Sequence, residues 1–231
     1  MDDPPGILLP TLRIIRAILL EDFSGSDVLN CTEIAVLLNL DQVQARHVVS
    51  ELDAIGLVQF VPDEGAVLKP FGAQDLLEIF HIRGVLVVEA TRLASRHIPT
   101  DLLMGLRDFC MELIESTGGA SQKPQEIVDC DRRLYELVAR FCGTHLLFSE
   151  MARFDKLMQV VRDIRRERGA GLMEGLFENR RVLDSLLVPD ENTAVAAMAE
   201  HLRKIARRDI EAVYGSGARE VILEAASTVA L

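Results

Sequence analysis

Residues 40–58 read LDQVQARHVVSELDAIGLV, and how this stretch folds decides how the chain is organised. Ala45, Val48, Val49 and Leu52 recur at helical spacing, so they line one side of a helix, with Gln42, Arg46 and Ser50 on the other. Asp41 is placed to cap the start of that helix, and Gly56 ends it ahead of a short extended run. The division of faces is that of a helix presented to a DNA groove. Yet it carries a single arginine, and residues 1–70 hold 4 Lys and Arg against 11 Asp and Glu. Nucleic-acid affinity rests largely on phosphate neutralisation, so this end of the chain starts at an electrostatic disadvantage.

Working outward, Leu12, Ile15, Ile18 and Leu19 predict a first helix that ends near Glu21 and Asp22. Asn30 with Glu33 forms a capping box for a second short helix through Leu38. Beyond Gly56, LVQFV and AVLKP flank the turn signal PDEG at 62–65, which predicts a strand pair. Three helices followed by a hairpin is the plan of a winged helix-turn-helix domain, assigned to residues 1–70.

KPFGAQ, residues 69–74, reads as a linker, and no strand signal follows it. Helical periodicity predicts helices at about 75–97, 100–117, 124–142, 146–168, 171–187 and 191–213, with a last one from about 218. The breaks between them carry Gly and Pro. The fold class is therefore mainly α. The winged domain precedes an antiparallel all-helical bundle over residues 71–231.

Composition bounds the rest. The formal net charge is −11, with 49% hydrophobic residues, 5% aromatic and no tryptophan, as suits a helical globular protein. Cys31, Cys110, Cys130 and Cys142 form no CxxC pair and have no histidine at zinc-finger spacing, so they read as small buried hydrophobes in a reducing compartment. The acidic start MDDPPGILLP is unlike a basic signal-peptide start, and the greasiest runs (LLPTLRIIRAILL, GVLVVEA) are too short or too charged to span a membrane. A cytoplasmic location and no membrane partner are expected.

Four bundle helices place a strongly polar group inside an apolar stripe. Arg83 interrupts Leu76, Ile79, Leu86, Ala90 and Leu93; Asp131 lies among Val128, Tyr135, Val138 and Cys142. Asn179 falls among Leu172, Leu176, Leu183 and Leu186, and His201 among Ala194, Met198 and Ile205. A single buried histidine or asparagine is most often a satisfied core group, and Arg83 with Asp131 could simply form a pair. Four such groups together point to a polar cavity inside the bundle, where bundle ligand sites usually lie.

At this point the chain resembles the GntR family of bacterial transcription regulators, in the FadR-like branch whose second domain is the helical FCD effector-binding domain. The likeness runs over nearly the whole chain. It is carried by EIAVLLNLDQVQARHVVSELDAIGLV at 33–58, LLEIFHIRGVLVVEATRLAS at 76–95, DRRLYELVARFCGTHLL at 131–147 and ENRRVLDSLLVPDENTAVAAMAEHL at 178–202. The resemblance implies a DNA-binding regulator that responds to a small metabolite. It also implies a metal site of one aspartate and three histidines. The matching positions here are Asp131, Tyr135, Asn179 and His201, which is a poor donor set for zinc or a similar ion. His81, two residues from Arg83 and on another face, does not fill the gap. No bound metal and no cofactor are expected. The same residues suit a small organic acid: Arg83 for its carboxylate, Asp131 and His201 as hydrogen-bond partners, Tyr135 and Asn179 for orientation.

The DNA-reading positions have drifted as well. The family's Ser-Arg is Asp41-Gln42 here, and the wing's basic residue is Glu64, while Arg46 stands at the second arginine position. Gln42, Gln44, Arg46 and Ser50 are the candidate DNA contacts, the two glutamines for adenine edges. A solvated face is the bland alternative for that helix. The expected function is a homodimeric, ligand-responsive regulator on a palindromic DNA operator, in which the metabolite shifts the two winged helices relative to each other. The alternative is a metabolite- or protein-binding relative that has lost operator binding. No nucleophile with its base, phosphate loop or complete metal centre stands out, so an enzyme is not expected.

Overall fold

The structure, a computed structural model, describes residues 8–20, 31–61, 65–116 and 124–218. Contacts divide the chain into two compact units, residues 1–76 with 153–161, and residues 77–152 with 162–231. The first unit thus takes in a segment far along the chain, beyond the 1–70 assigned to the winged domain.

In the first unit, helix α1 (Leu8–Leu19), α2 (Cys31–Leu38) and α3 (Gln42–Ile55) precede strands β1 (Val58–Val61) and β2 (Gly65–Leu68). The predicted apolar side of α3, Ala45, Val48, Val49 and Leu52, is fully buried together with Ile14, Ile15 and Ile34. The strands pair antiparallel, Val58 opposite Leu68 and Phe60 opposite Ala66, which turns Val58, Ala66 and Leu68 inward. Asn30 and the turn with Glu64 lie outside the described residues, as does the helix expected from about 218, of which only a 3-10 turn at Gly215–Ala218 is described.

Both ends of α3 are closed. Asp41 Oδ1 accepts from the Gln44 N–H at 2.8 Å and Gln44 Oε1 accepts from the Asp41 N–H at 3.0 Å, a reciprocal box that satisfies two helix-end donors. At the other end Gly56 sits at φ +92°, where its N–H reaches Leu52 and Asp53 carbonyls and a Cβ would be strained. Midway, Glu51 accepts from the Thr11 hydroxyl at 2.6 Å and pairs with Lys156 and with His47 at 3.2 Å. Arg153 donates to the Ala54 carbonyl. These bonds bring 153–161 into the first unit.

The same segment corrects the helix expected over 146–168. Two helices stand there, α7 (His145–Ala152) and α8 (Asp155–Arg168), separated at Arg153 and Phe154. The buried residues Met151, Phe154, Leu157, Met158 and Val161 keep helical spacing straight through the break, so periodicity cannot reveal it.

The second unit contains α4 (Ala73–Ala94), α5 (Thr100–Ser116), α6 (Pro124–Phe141), α7, α9 (Leu172–Leu186), α10 (Glu191–Tyr214) and the Arg162–Arg168 end of α8. Helix α9 is the central element and packs on α5, α6 and α10. Its buried face holds Leu172, Leu176, Asn179, Val182, Leu183 and Leu186. On α4 Leu76, Ile79 and Ala90 are buried as expected, but Val87 and Ala94 are buried where Leu86 and Leu93 are half-exposed. Cys110, Cys130 and Cys142 are buried thiols and Cys31 is half-buried.

Because no neighbouring atom lies near a Cβ built at Gly56, only its backbone conformation resists substitution. Gly56→Ala is expected to destabilise the first unit by about 1–2 kcal/mol. Urea unfolding followed by circular dichroism checks this, and an unchanged midpoint contradicts the assigned cap.

Candidate functional site

The polar groups flagged in the bundle helices do converge, and what holds them is a residue the stripes did not flag. Arg165, 2% exposed, extends from α8 between two buried carboxylates. Its Nη2 lies 3.2 Å from Asp131 Oδ2 on α6, and its Nη1 lies 3.1 Å from Asp209 Oδ1 on α10. Burial alone would raise the Asp131 carboxyl, but Arg165, His201 and Arg162 outweigh it, helped by a hydrogen bond from Asn179, and hold it below the usual range. For Asp209 burial prevails over Arg165, so its carboxyl is pushed up. Two carboxylates share one guanidinium, and the balance of burial against nearby charge runs in opposite directions at the two.

His201 on α10 links this centre to a second one. Its Nε2 is 2.8 Å from the Tyr135 hydroxyl and 3.7 Å from Asp131 Oδ1, and its Nδ1 is 3.3 Å from Glu178 Oε2. Burial and the nearby Asp131 push the Tyr135 phenol up, so it stays an O–H donor. The consistent arrangement has Tyr135 donating to Nε2 while Nδ1–H donates to Glu178. Glu178 in turn accepts from both terminal nitrogens of Arg208, at 2.8 and 2.5 Å, a bidentate pair. Gly171, at φ +59° before α9, leaves the space through which the Arg208 chain passes; a Cβ there would meet its Cδ. A shallow cleft opens over this end, lined by Glu178, Arg181, Glu200, His201 and Lys204.

Arg83 joins from α4. It is 4% exposed, and its guanidinium carbon lies 4.5 Å over the Tyr135 ring, a cation–π contact. The pairing with Asp131 considered from sequence does not form, because Arg165 holds that carboxylate. Arg83 Nε has no hydrogen-bond partner, and among the described residues no carboxylate pairs with Arg83. Asn179 Oδ1 and Asp131 Oδ1 are likewise buried acceptors without a hydrogen bond.

All five residues proposed from sequence are thus linked: Arg83 to Tyr135, Tyr135 to His201, and His201 and Asn179 to Asp131. Sequence reasoning missed Arg165, Asp209, Glu178 and Arg208. The stripe rule, carried to the ends of α8 and α10, finds the first two. Arg165 follows Met158 and Val161, and Asp209 follows Leu202 and Ile205, at helical spacing. Glu178 and Arg208 leave no such signal, since each sits on a half-exposed flank.

The donor set does not fit the metal that the resemblance implies. Both nitrogens of His201 are engaged, Asp131 is tied to a guanidinium, and the Tyr135 phenol is held protonated.

On α3, Gln42, Arg46 and Ser50 are exposed side by side as expected. Gln44 is different. Its Oε1 accepts from the Asp41 N–H in the capping box.

Burial works against the Glu178 carboxylate, but hydrogen bonds from Arg208 and His201 outweigh it and hold it at about 2. A carboxylate depressed in the fold contributes stability above its unfolded value and loses it as pH falls toward its folded value. The stability gap between wild type and Glu178→Gln should therefore be full at neutral pH and close as pH falls toward about 2. Urea midpoints across that range measure it, and a gap that stays constant in acid contradicts the assignment.

Comparison with known proteins fits this geometry. The model of the FCD domain matches residues 78–204. Among solved structures, E. coli McbR/YncC is similar at 16% identity, with TM-score 0.63, over 90% of this chain and 99% of that one. Lar, described as controlling expression of the Listeria monocytogenes agr system, is similar at 11% identity, with TM-score 0.55, over 93% and 99%. No curated protein sequence matches. A winged helix followed by an FCD domain is the architecture of a transcription regulator with an effector-binding domain. The chain belongs to the FCD domain family, as the GntR resemblance read from its sequence implies.

Proposed function

We propose that this protein is a homodimeric transcription regulator whose bundle binds a small organic acid at Arg83 and whose winged helix binds a palindromic operator. The observation that carries the proposal is the state of Arg83: buried, stacked on Tyr135, and without a carboxylate partner among the described residues. A buried cation with no counter-charge is costly, so an anion arriving there is favoured by the full difference. Arg165 spends its charge on Asp131 and Asp209, which leaves Arg83 as the cation available to a ligand. The unsatisfied acceptors Asn179 Oδ1 and Asp131 Oδ1 favour an acid that also carries a hydroxyl or ammonium donor.

On the DNA side, Gln42 offers amide readout, Arg46 a guanine or phosphate contact, and Ser50 a hydroxyl, all exposed on one face of α3. With 4 Lys and Arg in residues 1–70, few counterions are released and the salt dependence of binding is shallow. One observation favours the second reading, a relative that contacts protein in place of DNA. Val36, Leu37 and Val43 are all exposed, Val43 by 76% on the same first turn of α3 as Gln42. The family speaks for a binding protein, without turnover.

Thermal shift against a panel of small carboxylic acids tests the effector site. At least one hydroxy or amino acid is expected to raise the melting temperature of the wild type, and Arg83→Ala should fold yet lose that shift. An Arg83→Ala protein stabilised as strongly as wild type would falsify the site.

A further inference from the structure

We infer that the guanidinium of Arg165 is the resident cation of the bundle core, occupying by covalent attachment the role that a metal ion would otherwise fill. Asp131 and Asp209 are both buried and belong to different helices, α6 and α10, and each approaches Arg165 through a separate nitrogen, at 3.2 and 3.1 Å. One cation therefore ties two helices together through their carboxylates, as a coordinated ion does.

Three features favour the guanidinium over an ion. It stays charged at every pH the protein meets, and two of its nitrogens face two carboxylates at once, Nη2 hydrogen-bonded to Asp131 Oδ2 and Nη1 in ion contact with Asp209 Oδ1. Its side chain already fills the space beside Asp131, so a metal there would face a fixed positive charge as well as missing ligands. The other members of the set are committed too: His201 Nε2 to the Tyr135 hydroxyl and Nδ1 to Glu178. Positive potential from Arg162 adds to the same balance at both carboxylates. A tethered cation cannot be removed by chelation and has no dependence on metal supply, so the core is complete whenever the chain is folded. This inference is separate from the effector proposal, since it holds whether or not Arg83 binds an acid.

The test has a wild-type arm and a variant arm. Wild-type protein, dialysed against a chelator and then returned to zinc, manganese or nickel, is expected to keep one melting temperature throughout, with elemental analysis far below one metal per chain. A metal bound at one per chain, or a melting temperature that the chelator lowers and the ion restores, overturns the inference. In the second arm, Arg165→Met leaves two buried carboxylates without their cation. It should melt well below wild type or fail to fold at neutral pH. The neutral triple variant Arg165→Met with Asp131→Asn and Asp209→Asn should recover most of the loss, because breaking a buried ion group costs more than replacing all of it. A single variant as stable as wild type, or a triple variant no better than the single one, shows that charge balance is not what Arg165 supplies and overturns the inference.

Discussion

Charge neutrality inside the bundle is the constraint on which the second unit depends. Asp131, Asp209, Arg165 and Arg83 are all buried, on α6, α10, α8 and α4. Each isolated charge there would be costly. Arg165 resolves most of the problem by standing between the two carboxylates. His201, Tyr135, Glu178 and Arg208 then form a chain of bonds that carries polar atoms from this centre to the surface cleft. The apolar contacts of α9 with α5, α6 and α10 supply the bulk of the core, and the ion group adds a tie among α6, α8 and α10.

The same balance separates two positive charges that look alike in sequence. Arg165 faces two carboxylates, whereas Arg83 rests on an aromatic face with no carboxylate partner among the described residues. That difference makes Arg83 the proposed ligand group and Arg165 the proposed structural one. Tyr135 serves both. Its ring supports Arg83 while its hydroxyl holds His201, so an acid binding at Arg83 would be felt at His201 through a single side chain.

How much of this was legible in the sequence depends on what each feature writes into it. The order of helices and the strand pair were readable because apolar periodicity and Gly or Pro breaks mark them directly. The four polar intruders were readable because a strongly polar side chain within an apolar stripe is conspicuous on a single helix. Their partners were not, since pairing belongs to the space between helices: Asp131 next to Arg83 was as plausible as Asp131 next to Arg165. The break at Arg153 and Phe154 was hidden because the apolar spacing continues across it. The capping role of Gln44 was hidden because a capping glutamine and a base-reading glutamine look the same in a sequence. Asp41 three residues earlier was the available clue.

The central claim is that an acidic winged helix with a single arginine on its α3 still reads DNA under the control of the bundle. A binding selection of genomic fragments on the purified protein at low salt tests it most directly, repeated with whichever acid stabilises the fold. The account predicts a discrete set of fragments sharing a palindrome, whose retention changes when the acid is added and is lost with Arg46→Ala. No fragment retained above background at low salt would contradict it, and the exposed Val36, Leu37 and Val43 would then mark the winged domain as a protein-binding module.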